Sequence, residues 1–215
     1  MHVVITGATR GIGAGLADSY RAAGHSVTGT GRAPGAADAV LDVTDPTSHA
    51  ALANAMADRA VDLLVCNAGV FLDQEEDLET GYDAQKWAQG FATNVTGVFL
   101  NVQHLLPNLR RSSTPKVAII ASQMGSSTQA YGRGMIYRAS KAAAINLGLN
   151  LAQALKPQGI AVGIYHPGWV QTDMGGTDAD ITTDEAVAGL IDRFAALDLE
   201  TTGCFETWDG RAHPI

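Results

Sequence analysis

Short runs of β-branched and aliphatic residues alternate along this chain with longer segments whose apolar positions recur every three or four residues. Runs that are apolar at nearly every position suit strands buried on both faces. The longer segments suit helices laid over those strands, so the alternation predicts a parallel sheet covered on both sides. The predicted strands are 3–6, 26–30, 39–41, 63–66, 117–121, 161–165 and 203–207. The first helix is predicted over 11–23 and stops at Gly24, a residue suited to a left-handed C-cap. Further helices are predicted after Pro46, Tyr82, Tyr131 and Thr183. The last of these opens on Thr182-Thr183-Asp184-Glu185, which offers capping hydroxyls and first-turn acids. The acidic stretch 73–79 is predicted to be a solvated loop. No linker or repeat interrupts the pattern, so one domain over 1–215 is expected.

Composition narrows the class. With 24 Gly, 46% apolar residues and only 6% aromatic ones, the 215-residue chain suits tightly packed helices on a sheet. A formal charge of −8, from 14 Lys and Arg against 22 Asp and Glu, argues against a broad surface for nucleic acid or for an anionic membrane. Any anion must therefore be held by a local site. Cys66 and Cys204 lie far apart, show no metal-binding spacing and sit in apolar segments, which predicts reduced thiols and no metal site. The chain enters its first strand at His2-Val3-Val4-Ile5 with no basic leader, and no apolar run approaches the ~20 residues that span a bilayer. A cytoplasmic location is expected.

Two local patterns carry chemistry. The first is Thr6-Gly7-Ala8-Thr9-Arg10-Gly11-Ile12-Gly13, directly after the first predicted strand. Glycines there let a pyrophosphate approach the backbone, and the following helix presents unpaired N–H groups and the positive end of its dipole. The second is Tyr137-Arg138-Ala139-Ser140-Lys141, which places a phenol and an ammonium one helical turn apart. A Lys beside a Tyr favours the phenolate, and lowers an ordinary pKa of about 10 toward a useful range for proton transfer.

These motifs, together with Asn67-Ala68-Gly69 after the fourth strand, Asn94, Ser122 at the end of the fifth strand, and Pro167-Gly168 with Thr172 after the sixth, resemble the short-chain dehydrogenase/reductase family in kind and in order. The segments Tyr137 to Ala143, His166 to Gly176 and Trp208-Asp209-Gly210 are similar to the small carbonyl reductases of the sniffer and C-factor type. The resemblance covers essentially the whole chain. It implies an α/β, single-domain Rossmann-like fold: a doubly wound parallel sheet of about seven strands with helices on both faces.

The resemblance also implies roles. Tyr137 would be the general acid in carbonyl reduction, Lys141 would lower its pKa and bind the nicotinamide ribose, and Ser122 would hold the substrate oxygen. Asn94 would bind a water that connects Lys141 to solvent. Gly7, Thr9, Arg10, Gly11, Ile12 and Gly13 would cradle the cofactor phosphates. Asp42 and Val43 would meet the adenine, and Asn67, Ala68 and Gly69 the adenosine ribose. Pro167, Gly168, Val170 and Thr172 would fix the nicotinamide.

At the end of the second strand, where an acid would accept from a 2′-hydroxyl and repel a 2′-phosphate, the chain carries Arg32, and Arg10 can approach from the other side. NADP(H) is therefore expected as cofactor and a small-molecule carbonyl as substrate. Ser122 and Tyr137 stand fifteen positions apart, which sets a long loop, 123–134, beside the pocket. Only about ten residues separate the segment after Thr172 from the next helix, so an open pocket is expected, with Trp169, Met174 and Met124 either lining it or in the core. His166 is expected to be structural. Relatives pair through the helices bearing Asn94 and Tyr137, so a homodimer or homotetramer is implied; the Ala142, Ala143, Leu147 and Leu151 faces either make that contact or meet the sheet. The alternative function, implied by the C-factor resemblance, is an NADP(H)-binding signalling protein with little or no turnover.

Overall fold

Strand β1 (His2–Ile5) sends Val3 and Ile5 to one face and Val4 to the other, and all three are fully buried. That double burial is why the run is apolar throughout instead of alternating with polar residues. Val3 and Ile5 pack with Leu16 and Tyr20 of α1 (Gly11–Ala22) and with Leu190 and Phe194 of α6 (Thr183–Ala196). Val4 packs on the opposite face with Leu52 of α2 (Pro46–Met56), Leu105 of α4 (Gly97–Leu109) and Leu155 of α5 (Met135–Leu155). Each such side chain stabilises the fold by roughly 1.5–3 kcal/mol relative to exposure. The structure, a computed structural model, describes residues 1–79 and 81–215.

The remaining strands are β2 (Ser26–Gly31), β3 (Ala39–Val40), β4 (Leu63–Cys66), β5 (Lys116–Ile120), β6 (Ala161–His166) and β7 (Phe205–Thr207), and α3 (Ala84–Phe91) precedes α4. All pair in parallel as one seven-stranded sheet of order β3-β2-β1-β4-β5-β6-β7. Winding runs outward from β1 through β2 and β3, then returns to place β4 on the other side of β1. The carboxyl ends of β1 and β4 therefore form the switch point at which such sheets bind ligands. Every predicted strand is present, with no end displaced by more than two residues.

Helix ends follow the local chemistry. His25 N–H donates to Tyr20 O and Gly24 N–H to Arg21 O, closing α1 with the paired bonds of a Schellman turn. Asp45 and Asp83 cap α2 and α3 through the N–H of Thr47 and Gln85. Thr182 and Glu185 form a reciprocal capping box at α6.

Asn94 lies in a helix as expected, and the helix widens there: a π turn over Ala92–Thr96 joins α3 to α4, and Asn94 sits in it. One expectation needs correction. The stretch 73–79 is not wholly solvated, because Asp73 is fully buried and Glu76 pairs with Lys86, while its neighbours face water. Leu147 and Leu151 pack against the core beside α4, so that part of α5 meets the fold itself. Cys66 and Cys204 are free thiols. Among the described residues no helix is long and apolar enough to cross a membrane.

Candidate active site

The glycine-rich turn is held against the end of β4 by two side chains. Asn67 Nδ2 donates to Thr6 O at 2.9 Å and to Gly7 O at 3.1 Å, while the Thr6 hydroxyl accepts from the N–H of both Asn67 and Ala68. Gly13 packs so closely under this turn that a Cβ there would lie 2.2 Å from Gly7 O and 2.5 Å from Asn67 Nδ2. Only glycine fits. Helix α1 starts at Gly11 with no side-chain cap at Arg10 and no acid in its first turn. Its first N–H groups and its positive end are thus open to an anion.

Three polar side chains meet nearby, at the ends of β5 and α5. Ser122, Tyr137 and Lys141 are all nearly buried. Ser122 accepts from Met124 N–H at 3.1 Å, and its hydroxyl favours the ionised form of the nearby Tyr137 phenol. Lys141 Nζ lies 5.6 Å from the Tyr137 ring centroid and donates to Ile120 O at 2.8 Å.

The electrostatics reverse one expectation. Burial pushes the Tyr137 phenol up to about 12, and the Ser122 hydroxyl opposes that rise only in part. Lys141 does not bring it down. Its ammonium is turned toward the Ile120 carbonyl, and its own desolvation pulls its pKa down to about 8.

Asn94 acts through the backbone around it. Its Oδ1 accepts from Val70 N–H at 2.9 Å, and its Nδ2 donates to Val70 O and to the Ser140 hydroxyl, each at 2.9 Å. Ser140 in turn donates to Tyr137 O at 2.8 Å. The π turn aims this amide inward, in keeping with the frequent placement of such bulges at functional sites. These contacts fasten the strand-end loop to the helix of Tyr137.

Sequence reasoning missed three residues here. Phe71 lies flat on Tyr137, with ring centroids 4.2 Å apart and planes inclined by 17°. Asp73 accepts from the N–H of Ile136 at 2.7 Å and of Tyr137 at 3.2 Å. Ser140 was legible, being one helical turn from Tyr137; Phe71 and Asp73 carry no local signal, since their partners lie more than sixty residues away.

Thr172 abuts the glycine-rich turn, for a Cβ on Gly11 would lie 3.3 Å from its methyl group. Val170 is buried and bridges to Ile181, and the Thr172 hydroxyl accepts from Gly175 N–H. Pro167 and Gly168 are half-buried at the end of β6. Asp42 Oδ1 accepts from the N–H and hydroxyl of Thr44, which hold its carboxyl below the usual range, and Val43 is buried beside it.

Thr9 and Arg32 face solvent, and Ile12, Ala68 and Gly69 are half-buried. Arg10 is engaged elsewhere than expected, paired with Asp173 at 2.9 Å. Trp169 and Met174 are exposed rather than core, and Met124 packs against the position of Gly134. His166 is buried, and desolvation lowers it to about 4, so its ring is neutral at pH 7.

A glycine-rich turn at the switch point of a seven-stranded parallel sheet, next to a Ser, Tyr and Lys cluster, defines a Rossmann-like oxidoreductase architecture. The profile of the short chain dehydrogenase family matches residues 1–182, and the chain belongs to that family. The C-signal protein of Myxococcus xanthus is 35% identical over 158 residues, covering 72% of this chain and 92% of that protein. The NADPH-bound carbonyl reductase from chicken fatty liver superposes with a TM-score of 0.91 at 28% identity, covering 100% of this chain and 98% of its own. The carbonyl reductase Sniffer of D. melanogaster gives 0.92 at 22% identity, covering 100% and 99%, a likeness of fold.

Proposed function

We propose that this protein is an NADP-dependent enzyme that reduces an aldehyde, ketone or quinone-like carbonyl to the alcohol. The observation that carries the reading is the Ser122, Tyr137 and Lys141 cluster set beside the uncapped start of α1. A bound nicotinamide dinucleotide supplies the hydride. The residues present fit that group: the open α1 N-terminus suits a pyrophosphate, and the close packing of Gly13 leaves the turn backbone bare. Asp42 and Val43 would meet the adenine, Asn67 to Gly69 the adenosine ribose, and Pro167, Gly168, Val170 and Thr172 the nicotinamide. Arg32, joined by Arg10 on release from Asp173, would take a 2′-phosphate, which favours NADP(H) over NAD(H).

With its pKa at about 12, Tyr137 is a protonated phenol at neutral pH, the form that donates to a carbonyl oxygen. Ser122 would hold that oxygen where negative charge develops, and the Lys141 ammonium would bind the nicotinamide ribose. The NADPH-bound carbonyl reductase from chicken supports the cofactor and the substrate class.

The test is NADPH oxidation with purified protein and a panel of aldehydes, ketones and quinones. Turnover by the wild type that Tyr137→Phe abolishes is the expected result. No consumption with any member, or full activity in Tyr137→Phe, removes the reading. The similarity to C-signal favours one second reading, an NADP(H)-binding signalling protein. Cofactor binding without turnover, with a cellular effect that survives Tyr137→Phe, would select it.

A further inference from the structure

We infer that Asp73 is a positioning residue for Tyr137, a helix cap supplied from a distant loop. The inference rests on the carbonyl-reductase reading of the same site. Helix α5 begins unusually. Its N-cap is Gly134, at φ 64° and ψ 42°, which has no side chain to accept from the orphaned first-turn N–H groups.

Packing explains the glycine. A Cβ at that left-handed position would lie 3.2 Å from Phe71 Cζ and 3.3 Å from Met124 Cε, so a Ser, Thr, Asp or Asn cap would strain the backbone and collide with the ring stacked on Tyr137. The missing acceptor comes from Asp73, two residues beyond Phe71. Its Oδ2 takes the N–H of Ile136 and its Oδ1 the N–H of Tyr137, the second and third residues of the helix, where a cap's bonds belong.

Asp73 is fully buried, although a carboxylate at that depth is retained only with such partners. The effect is a backbone clamp on the proton donor. The Tyr137 N–H is fixed by Asp73, its carbonyl by Ser140, and Ser140 by Asn94. The same loop is stitched down at Val70 by Asn94, and at Gln74, whose side-chain amide donates to Met174 O at 3.0 Å. Asp73 thus couples the loop carrying Phe71 to the first turn of α5, so the phenol, its stacking partner and the helix start move as one unit.

The experiment compares wild type, Asp73→Ala and Asp73→Asn by steady-state kinetics with NADPH and the best carbonyl of the panel, and by amide hydrogen exchange. Asp73→Ala removes both acceptors; Asp73→Asn keeps one. For Asp73→Ala, kcat is expected to fall roughly 10- to 100-fold, as misplacement of a reacting group does. The KM for NADPH should stay within about 2-fold, since the cofactor contacts are not touched. Asp73→Asn should recover an intermediate kcat. Exchange at Ile136 and Tyr137 should accelerate at least about 10-fold in Asp73→Ala, while the β4 amides keep their protection.

A purely structural cap would lower thermal stability and leave kcat per folded molecule at the wild-type value, and that result overturns the inference. So does an Asn variant no better than Ala, or unchanged exchange at the two amides. If the wild type reduces no carbonyl at all, the proposed function fails on its own account, and the exchange measurement alone decides the clamp.

Discussion

Phe71 covers one face of the Tyr137 ring at a centroid separation of 4.2 Å, near parallel, so the phenol is fixed in tilt by its neighbour as well as by its own backbone. Aromatic pairs of this kind contribute about 0.5–1.5 kcal/mol beyond the area they bury. Phe71→Ala is therefore expected to lower thermal stability modestly, and to lower kcat more than it raises the KM for NADPH. Phe71→Leu, which refills the volume without the ring plane, should restore stability and leave kcat reduced. Calorimetry and initial rates on the same preparations check both.

Lys141 is the costliest residue in the site. In the fold its pKa is about 8, against 10.5 when solvated, because its charged form is nearly buried. Between these values the unfolded chain holds a proton that the folded one has released, so stability rises with pH across that window. Below about 8 the penalty is complete, on the order of 3 kcal/mol for the full difference. Lys141→Met should thus be inactive yet more stable than wild type at pH 7, with the gain shrinking as pH climbs toward 10.5. Urea melts at a series of pH values test the sign. Tyr137 acts oppositely at higher pH: its raised pKa makes stability fall from 10 to about 12.

The same Lys141 pKa sets the expected rate profile. Carbonyl reduction should be level below about pH 8 and decline above it, as the ammonium proposed to bind the nicotinamide ribose is lost. Lys141→Arg, which stays charged, should push the decline to higher pH in whatever activity it retains. A kcat profile that rises through this range would contradict the assignment.

Asn94 holds three buried hydrogen bonds, two to Val70 and one to Ser140. Asn94→Ala leaves those partners unsatisfied, and is expected to cost about 2–4 kcal/mol of stability at roughly 1 kcal/mol or more per group. Asn94→Asp, which can still accept from Val70 N–H but cannot donate, should fall between. Denaturant midpoints give the ranking.

Arg10 is occupied by Asp173, and both side chains are 75% exposed. An exposed pair of this kind is worth about 0.2–1 kcal/mol. Asp173→Ala should therefore release Arg10 and tighten NADPH by about 1.4- to 5-fold, with NADH unaffected, and the gain should fade in high salt. Arg32→Ala should weaken NADPH and leave NADH nearly unchanged. Fluorescence titration with both cofactors measures the contrast.

Much of this molecule was legible in its residues, because the signals are local. Short aliphatic and β-branched runs announced the seven strands, and the spacing in the glycine-rich turn and at Tyr137 and Lys141 announced the candidate site. The π turn at Asn94 was not legible, since the apolar periodicity of 84–109 does not record where a helix widens by one residue. Asp73 was misread with its acidic neighbours, because its partners come from the start of a helix that folds over it. The Tyr137 phenol was expected to be lowered by Lys141; proximity in sequence conveyed the pairing, but burial, a property of the whole fold, decided the direction.

The placement of β4 beside β1 also has a consequence for biosynthesis. During translation β1, α1, β2 and β3 emerge first and can wind together, but the other edge of β1 stays bare until β4 is released, and Asn67 reaches back 60 residues to Gly7. A nascent chain stalled before that point presents an open parallel edge and an unsupported turn, which makes it a target for self-association or chaperone capture. Completion of the glycine-rich turn is thereby tied to the moment the fourth strand leaves the ribosome.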